Sequence, residues 1–244
     1  MRSQFGYCGR IVLMPLIRSK FKKEKDMVYI SHLDLLRLLE RALRRAGIKP
    51  VFTQGFNQHP KISFAQALSL GTASQGEYVD IEIEEGMDAE EFKSRLNEVL
   101  PEGIEFVISK IMEGKVNALM GEVTHARYIM CMELLEHMDE AGVKSELDGY
   151  MKLENIFIEK RTKKGDIKQL DVKEMIRDIG ILMVEEGKVY LSAVLTCGSV
   201  SNLKPELLLQ TIRDNTGLKF DVEDSTIQRI DIYTLRDGKL VAPL

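Results

Sequence analysis

The sequence predicts an α+β protein built as two tandem ferredoxin-like units with antiparallel sheets, and three observations predict it. Apolar residues alternate in strand fashion in some segments and recur at helical spacing in others. Read along the chain, these segments run strand, helix, strands, helix, strand, and then the order restarts. The 244 residues, 44% of them hydrophobic, are enough for one large core or two smaller ones.

The first unit is assigned to residues 1–112. It opens with an extended stretch at 12–21 and continues into a helix at 32–46. Ser31 with Asp34 three residues on resembles a capping box, and Gly47 supplies the stop. Short strands follow at 51–53 and 61–65, then a longer one at 77–84 where Tyr78, Val79, Asp80, Ile81, Glu82 and Ile83 alternate. Asp88 and Glu91 open a second helix whose Phe92, Leu96, Val99 and Leu100 share one face. Pro101 and Gly103 end it, and a strand at 104–112 closes the unit.

Residues 113–123 read as a linker, and residues 124–244 as the second unit. Tyr128, Met130, Met132 and Leu134 fall on one face of its first strand, the methionines as core filler. A helix at 143–153, strands at 156–161 and 188–196, a Pro205-led helix at 206–215 and a strand at 227–235 complete it. Residues 170–179 read as an inserted helix. No residue-level repeat links the halves, so their likeness is one of order alone.

Composition excludes several functions. The three cysteines, Cys8, Cys131 and Cys197, are scattered, with no C-x-x-C and no histidine pair at ligand spacing, which argues against a disulfide framework, a zinc site or an iron–sulfur cluster. Neither phosphate-binding glycine motif occurs, so no cofactor is expected. The longest apolar runs, such as 11–17, fall short of a membrane span and no signal-peptide pattern opens the chain, so a cytoplasmic location is expected.

Charge is unevenly placed. Residues 1–61 carry thirteen Lys or Arg against Glu24, Asp26, Asp34 and Glu40, a surplus of nine in a chain of net charge −4. On the first helix Arg37, Arg41, Arg44 and Arg45 fall within one arc, opposite Leu35, Leu38, Leu39, Ala42, Leu43 and Ala46. The plain reading is a solvated face with pairs Asp34–Arg37 and Glu40–Arg44. The choice of arginine, whose planar fork suits phosphate, and the flanking Lys20, Lys22, Lys23, Lys25, Lys49 and Lys61 favour a polyanion or acidic partner instead. The turn at 55–61 adds Phe56 to stack on a base and Asn57, His59 and Lys61 to contact phosphate or base edges, with Gly55 and Asn57 suited to positive φ. His32 and His59 are expected on one concave surface, where they could serve as an acid–base pair.

The run YISHLDLLRLLERALRRAGIKPVFTQGFNQHPKISFAQALSLGTASQGEYVDIEIE, with weaker matches at 159–165 and 198–205, resembles the radical-SAM-associated protein family. Gln58 departs from it, standing where proline is expected in the turn. The resemblance implies a cobalamin-binding radical SAM enzyme as partner, encoded beside or fused to the chain, and the scattered cysteines exclude that this chain is the radical enzyme itself. The expected function is therefore a non-catalytic accessory protein that binds RNA through its first unit. A metal-independent endoribonuclease using His32 and His59 is the first alternative, and a protein-only adaptor the second.

The hydroxyl-rich loop 196–202 before the Pro205 helix is a lesser anion-binding candidate, and Lys160, Arg161, Lys163 and Lys164 read as an exposed hairpin tip.

Overall fold

The computed structural model describes residues 15–84, 86–114, 116–161 and 165–244. The extended stretch expected at 12–21 and Cys8 therefore lie partly or wholly outside the described residues, as do Lys163 and Lys164. The protein is α+β with a mixed sheet. In chain order its elements are β1 Leu16–Lys23, α1 His32–Arg45, β2 Ile62–Phe64, β3 Ala73–Glu82, α2 Ala89–Asn97 and β4 Ile104–Met112. The chain continues with α3 Leu119–Glu122, β5 His125–Glu133, α4 Glu140–Met151, β6 Phe157–Arg161, β7 Ile167–Asp171 and β8 Ile176–Glu185. It ends with β9 Lys188–Thr196, α5 Pro205–Asn215, β10 Thr226–Arg236 and β11 Lys239–Val241.

The main sheet runs β4-β1-β3-β10-β5-β9-β8, with β2 beside β3 and β11 beside β10. Neighbours are antiparallel except β3 and β10, which pair parallel at Ala73–Gln228 and Ser74–Arg229. The two separate antiparallel sheets expected from sequence are thus one continuous sheet. Gly76 permits that junction, since a Cβ there would lie 2.6 Å from Asp231 Oδ1 and 2.7 Å from the Ile230 carbonyl oxygen.

Two apolar clusters hold the helices to the sheet. Leu39, Leu43, Phe92 and Leu96 of α1 and α2 meet Ile17, Phe21, Val79, Ile81 and Phe106. Val143, Leu147, Leu208 and Ile212 of α4 and α5 meet Met130, Met132, Leu191 and Leu195, and the Tyr150 and Thr211 hydroxyls bond at 2.7 Å between the two helices. Burial of each such Leu or Ile side chain is worth about 1.5–3 kcal/mol, so these clusters outweigh any single polar contact.

Two expectations are corrected. Residues 113–123 are not a free linker: α3 lies within them, and Leu119 and Val123 are buried. Residues 170–179 hold no α-helix; they span the end of β7, a single 3-10 turn at Lys173–Met175 and the start of β8. Alternating apolar residues in 176–184 favour a strand, and β6 and β7 form a hairpin apart from the main sheet.

Candidate nucleic-acid interface

Local sequence fixes α1 at both ends. The Ser31 hydroxyl accepts from the Asp34 N–H at 3.2 Å and donates to the Asp34 carboxylate at 2.7 Å. At the other end Gly47 adopts φ +68, and Ile48 N–H donates to the Leu43 carbonyl at 3.0 Å, the backbone pattern of a glycine-terminated helix. Leu35, Leu39, Ala42 and Leu43 are buried, which turns Arg37, Arg41, Arg44 and Arg45 outward, all exposed.

The four arginines are not equivalent. Arg37 reaches Asp34 at 3.4 Å on the surface, a contact worth a few tenths of a kcal/mol. Arg45 donates to the Val99 carbonyl at 2.6 Å and so tethers α1 to the end of α2. Arg41 and Arg44 have no hydrogen-bond or ion-pair partner among the described residues, and the expected Glu40–Arg44 pair is not formed.

The turn expected at 55–61 is the tip of a hairpin-like loop. Thr53 N–H donates to the His59 carbonyl at 2.9 Å, His59 N–H donates to the Thr53 hydroxyl at 3.2 Å, and Lys61 N–H donates to the Val51 carbonyl at 2.8 Å. Gly55 takes φ +122 as its lack of a side chain allows, whereas Asn57 does not adopt positive φ. Phe56 projects from the tip, fully exposed. Lys61 is engaged by Glu82 at 2.7 Å.

This loop packs beside the C-terminal end of α1, not its N-terminal end. Together they line a groove of about 560 Å³ whose walls include Arg44, Glu40, Phe52, Gln58, His59 and Glu84. His32 sits at the other end of the helix, roughly 20 Å away by the rise of its turns. Its ring meets Phe64 edge-on at 4.8 Å, in a small recess with Lys23, Gln66 and Glu77. The expected shared surface of His32 and His59 is therefore absent, and the acid–base pair with it.

Most of the lysines flanking the arginines are committed internally. Lys20 bonds Asp231 at 2.7 Å, Lys22 meets Glu105 at 3.4 Å, and Lys25 pairs with Glu102. Lys23 is buried and donates to the carbonyls of Val28 and Ile30 at 3.3 and 3.1 Å, and burial lowers its pKa against the opposing pull of Glu77. Among the described residues, much of the positive charge read from the first quarter is thus paired with carboxylates where the chain folds. What the surface presents is the outer face of α1 and, beside it, the exposed Lys49.

Across residues 16–205 the chain matches the model of the family described as uncharacterized protein conserved in bacteria, DUF2344. The chain belongs to this family. No curated protein matches it. Among solved structures, it is similar to a chain of a Cbf5-Nop10-Gar1 complex at 11% identity and TM-score 0.47, covering 88% of this chain and 48% of that one. A chain of an H/ACA RNP bound to a substrate RNA containing 2′-deoxyuridine aligns at 10% identity and TM-score 0.45, covering 92% and 48%. The chain spans about half the length of these solved chains, and at these scores the likeness carries no inference about it.

Sequence reasoning missed two buried charge clusters. Arg18 donates through Nε and Nη2 to Asp80 at 2.7 and 2.9 Å, and through Nη1 to Glu122 at 2.9 Å and the Pro243 carbonyl at 3.1 Å. Arg229 Nη1 donates to both Glu77 carboxylate oxygens at 2.9 and 3.1 Å, and the guanidinium lies over the Tyr128 ring at 5.6 Å. In sequence each partner stands far from the other, so only the folded sheet and the segments packed on it reveal the pairs. Glu40 and Glu84 were missed for the same reason, as groove acids brought together from α1 and the segment after β3. The loop 196–202 does line a cavity with the β6–β7 hairpin, of about 380 Å³, including Lys160, Asn202 and Lys204.

Proposed function

We propose that the chain is a non-catalytic accessory protein that binds RNA through the arginine face of α1 and the loop 53–59. One observation carries this reading: Arg41 and Arg44 stand exposed without a carboxylate partner among the described residues, beside a groove and a fully exposed Phe56. An arginine row kept only to solvate a helix gains from pairing one turn away, and Glu40 is placed to do so yet does not. Unpaired guanidinium forks suit phosphate, and a free aromatic ring offers every base a stacking face.

In this proposal the chain comprises two ferredoxin-like units, 1–112 and 124–244. The order of strands supports it: β4-β1-β3-β2 in the first half and β10-β5-β9-β8 in the second are each fourth, first, third, second. The partner in this proposal is a cobalamin-binding radical SAM enzyme, on the strength of the sequence resemblance, and the setting is cytoplasmic. Among the described residues no helix is long and apolar enough to cross a membrane, and no metal-holding cluster occurs.

The test is fluorescence anisotropy of a labelled single-stranded RNA with the wild type and the Arg41→Gln/Arg44→Gln double variant. Glutamine retains helix propensity, so an unchanged melting curve certifies the fold. Affinity should drop in the variant while the RNA stays intact. Equal affinity in both proteins would reject the arginine face and leave an adaptor that binds protein alone.

A further inference from the structure

We infer that the groove between α1 and the loop 53–59 holds one unpaired guanine base, an inference that rests on the RNA-binding reading above. The groove is large enough for a nucleotide and too mixed in charge to be a phosphate site. Arg44 and Lys49 stand on its wall, but so do Glu40 and Glu84, whose carboxylates have no hydrogen-bond or ion-pair partner among the described residues. Two unpaired carboxylates repel a phosphate group at close range and attract donor groups. With two cations and two carboxylates on its wall, the groove suits a ligand that is neutral and presents N–H groups to the carboxylates.

A nucleobase meets that demand. The half-exposed Phe52 and the Arg44 guanidinium plane are flat surfaces that stack on bases, and Gln58 supplies an amide. Among the four RNA bases only guanine presents two adjacent donors, N1–H and the N2 amino group, in the parallel arrangement that a single carboxylate accepts bidentately. Uracil offers one donor flanked by two acceptors, and adenine and cytosine each offer one amino group beside an acceptor. Those acceptors would face the carboxylate oxygens at a cost. In a duplex the same guanine edge is already paired, so the groove selects single strands.

The arrangement separates two roles along α1. Arg41, on the outer face, meets phosphates, Arg44 turns its N–H edge to a phosphate while its plane stacks on the base, and the groove at the helix C-terminal end reads that base. Phe56, beyond the groove, carries a neighbouring base without preference.

The experiment compares labelled oligouridine twelve-mers that contain a single central guanine, adenine or cytosine, together with the guanine strand annealed to its complement. The unpaired guanine strand should bind roughly tenfold more tightly than the other single strands or the duplex, in line with the discrimination a bidentate base contact provides. In Glu40→Gln and Glu84→Gln variants that melt like the wild type, at least one should lose that preference while plain oligouridine affinity holds or rises. Equal binding of all single strands, or of paired and unpaired guanine, overturns the guanine pocket and leaves the arginine-face reading standing. Failure of every RNA to bind overturns both.

Discussion

Replacing Glu77 by glutamine should destabilise the fold more than any surface change, because it strands a buried arginine. The Glu77 and Arg229 side chains are each only 5% exposed, and the two bonds between them, at 2.9 and 3.1 Å, join β3 to the neighbouring β10. Arg229 has one other bond, to the Ala67 carbonyl at 3.3 Å, while its buried Nε has no partner. Once the carboxylate is gone, the guanidinium stays charged in a site that solvates it poorly, and breaking such a pair costs about 3–5 kcal/mol. That is a large part of the ~5–15 kcal/mol total expected of a folded domain. In a chain this long the melting temperature should fall by roughly 10 °C. Urea unfolding gives the free-energy difference directly. The Glu77→Met/Arg229→Met double variant should recover most of the loss, since two apolar side chains of similar length leave no charge behind. A loss below about 1 kcal/mol in the single variant would refute the claim that the pair is desolvated and structurally required.

Gly76→Ala should cost about 1–3 kcal/mol, since its Cβ would meet Asp231 Oδ1 and the Ile230 carbonyl at under 3 Å; a melting curve like the wild type would contradict the close β3–β10 approach. His125 is buried, and that burial, with the charge of Arg177, lowers its pKa below 6.5. The unfolded chain then takes up a proton first as pH falls through about 6.5, so this residue makes stability decline on acidification from that point down to its folded pKa. Urea unfolding from pH 7 to pH 5 should show a smaller decline in His125→Gln than in the wild type, and equal declines would count against the burial. Arg45→Gln should lower stability by about 1 kcal/mol through the lost bond to Val99, while Arg41→Gln should leave it within about 0.5 kcal/mol.

The elements that sequence made legible are those written in local chemistry. Ser31, Asp88 and Gly47 mark helix ends through bonds to residues within a turn, and all three act as their positions suggest. The alternation of Tyr128, Met130 and Met132 likewise announces a buried strand face, and the three are buried. Residues 170–179 misled because their charges recur at a spacing that suits either helix or strand, and pairing of 170–171 with β6 and of 176–179 with β9 decides the matter. Site residues were legible only where one helix displays them together. Whether a lysine on β1 meets solvent or a carboxylate depends on Asp231 and Glu105, far along the chain. The separation of His32 from His59 follows from the loop folding toward Gly47, which no neighbouring residue dictates.

The most direct test is the salt dependence of RNA affinity. If binding is confined to the outer face of α1, then Arg41 and Arg44, with Arg37 when it leaves Asp34, give two or three phosphate contacts. At about 0.7 per contact for single strands, log affinity should fall against log salt concentration with a slope of roughly −1.5 to −2. In the Arg41→Gln/Arg44→Gln variant the slope should flatten by about 1.4. A slope near −6, as expected if the whole basic first quarter met the RNA, or a slope unchanged in the folded variant, would contradict the account.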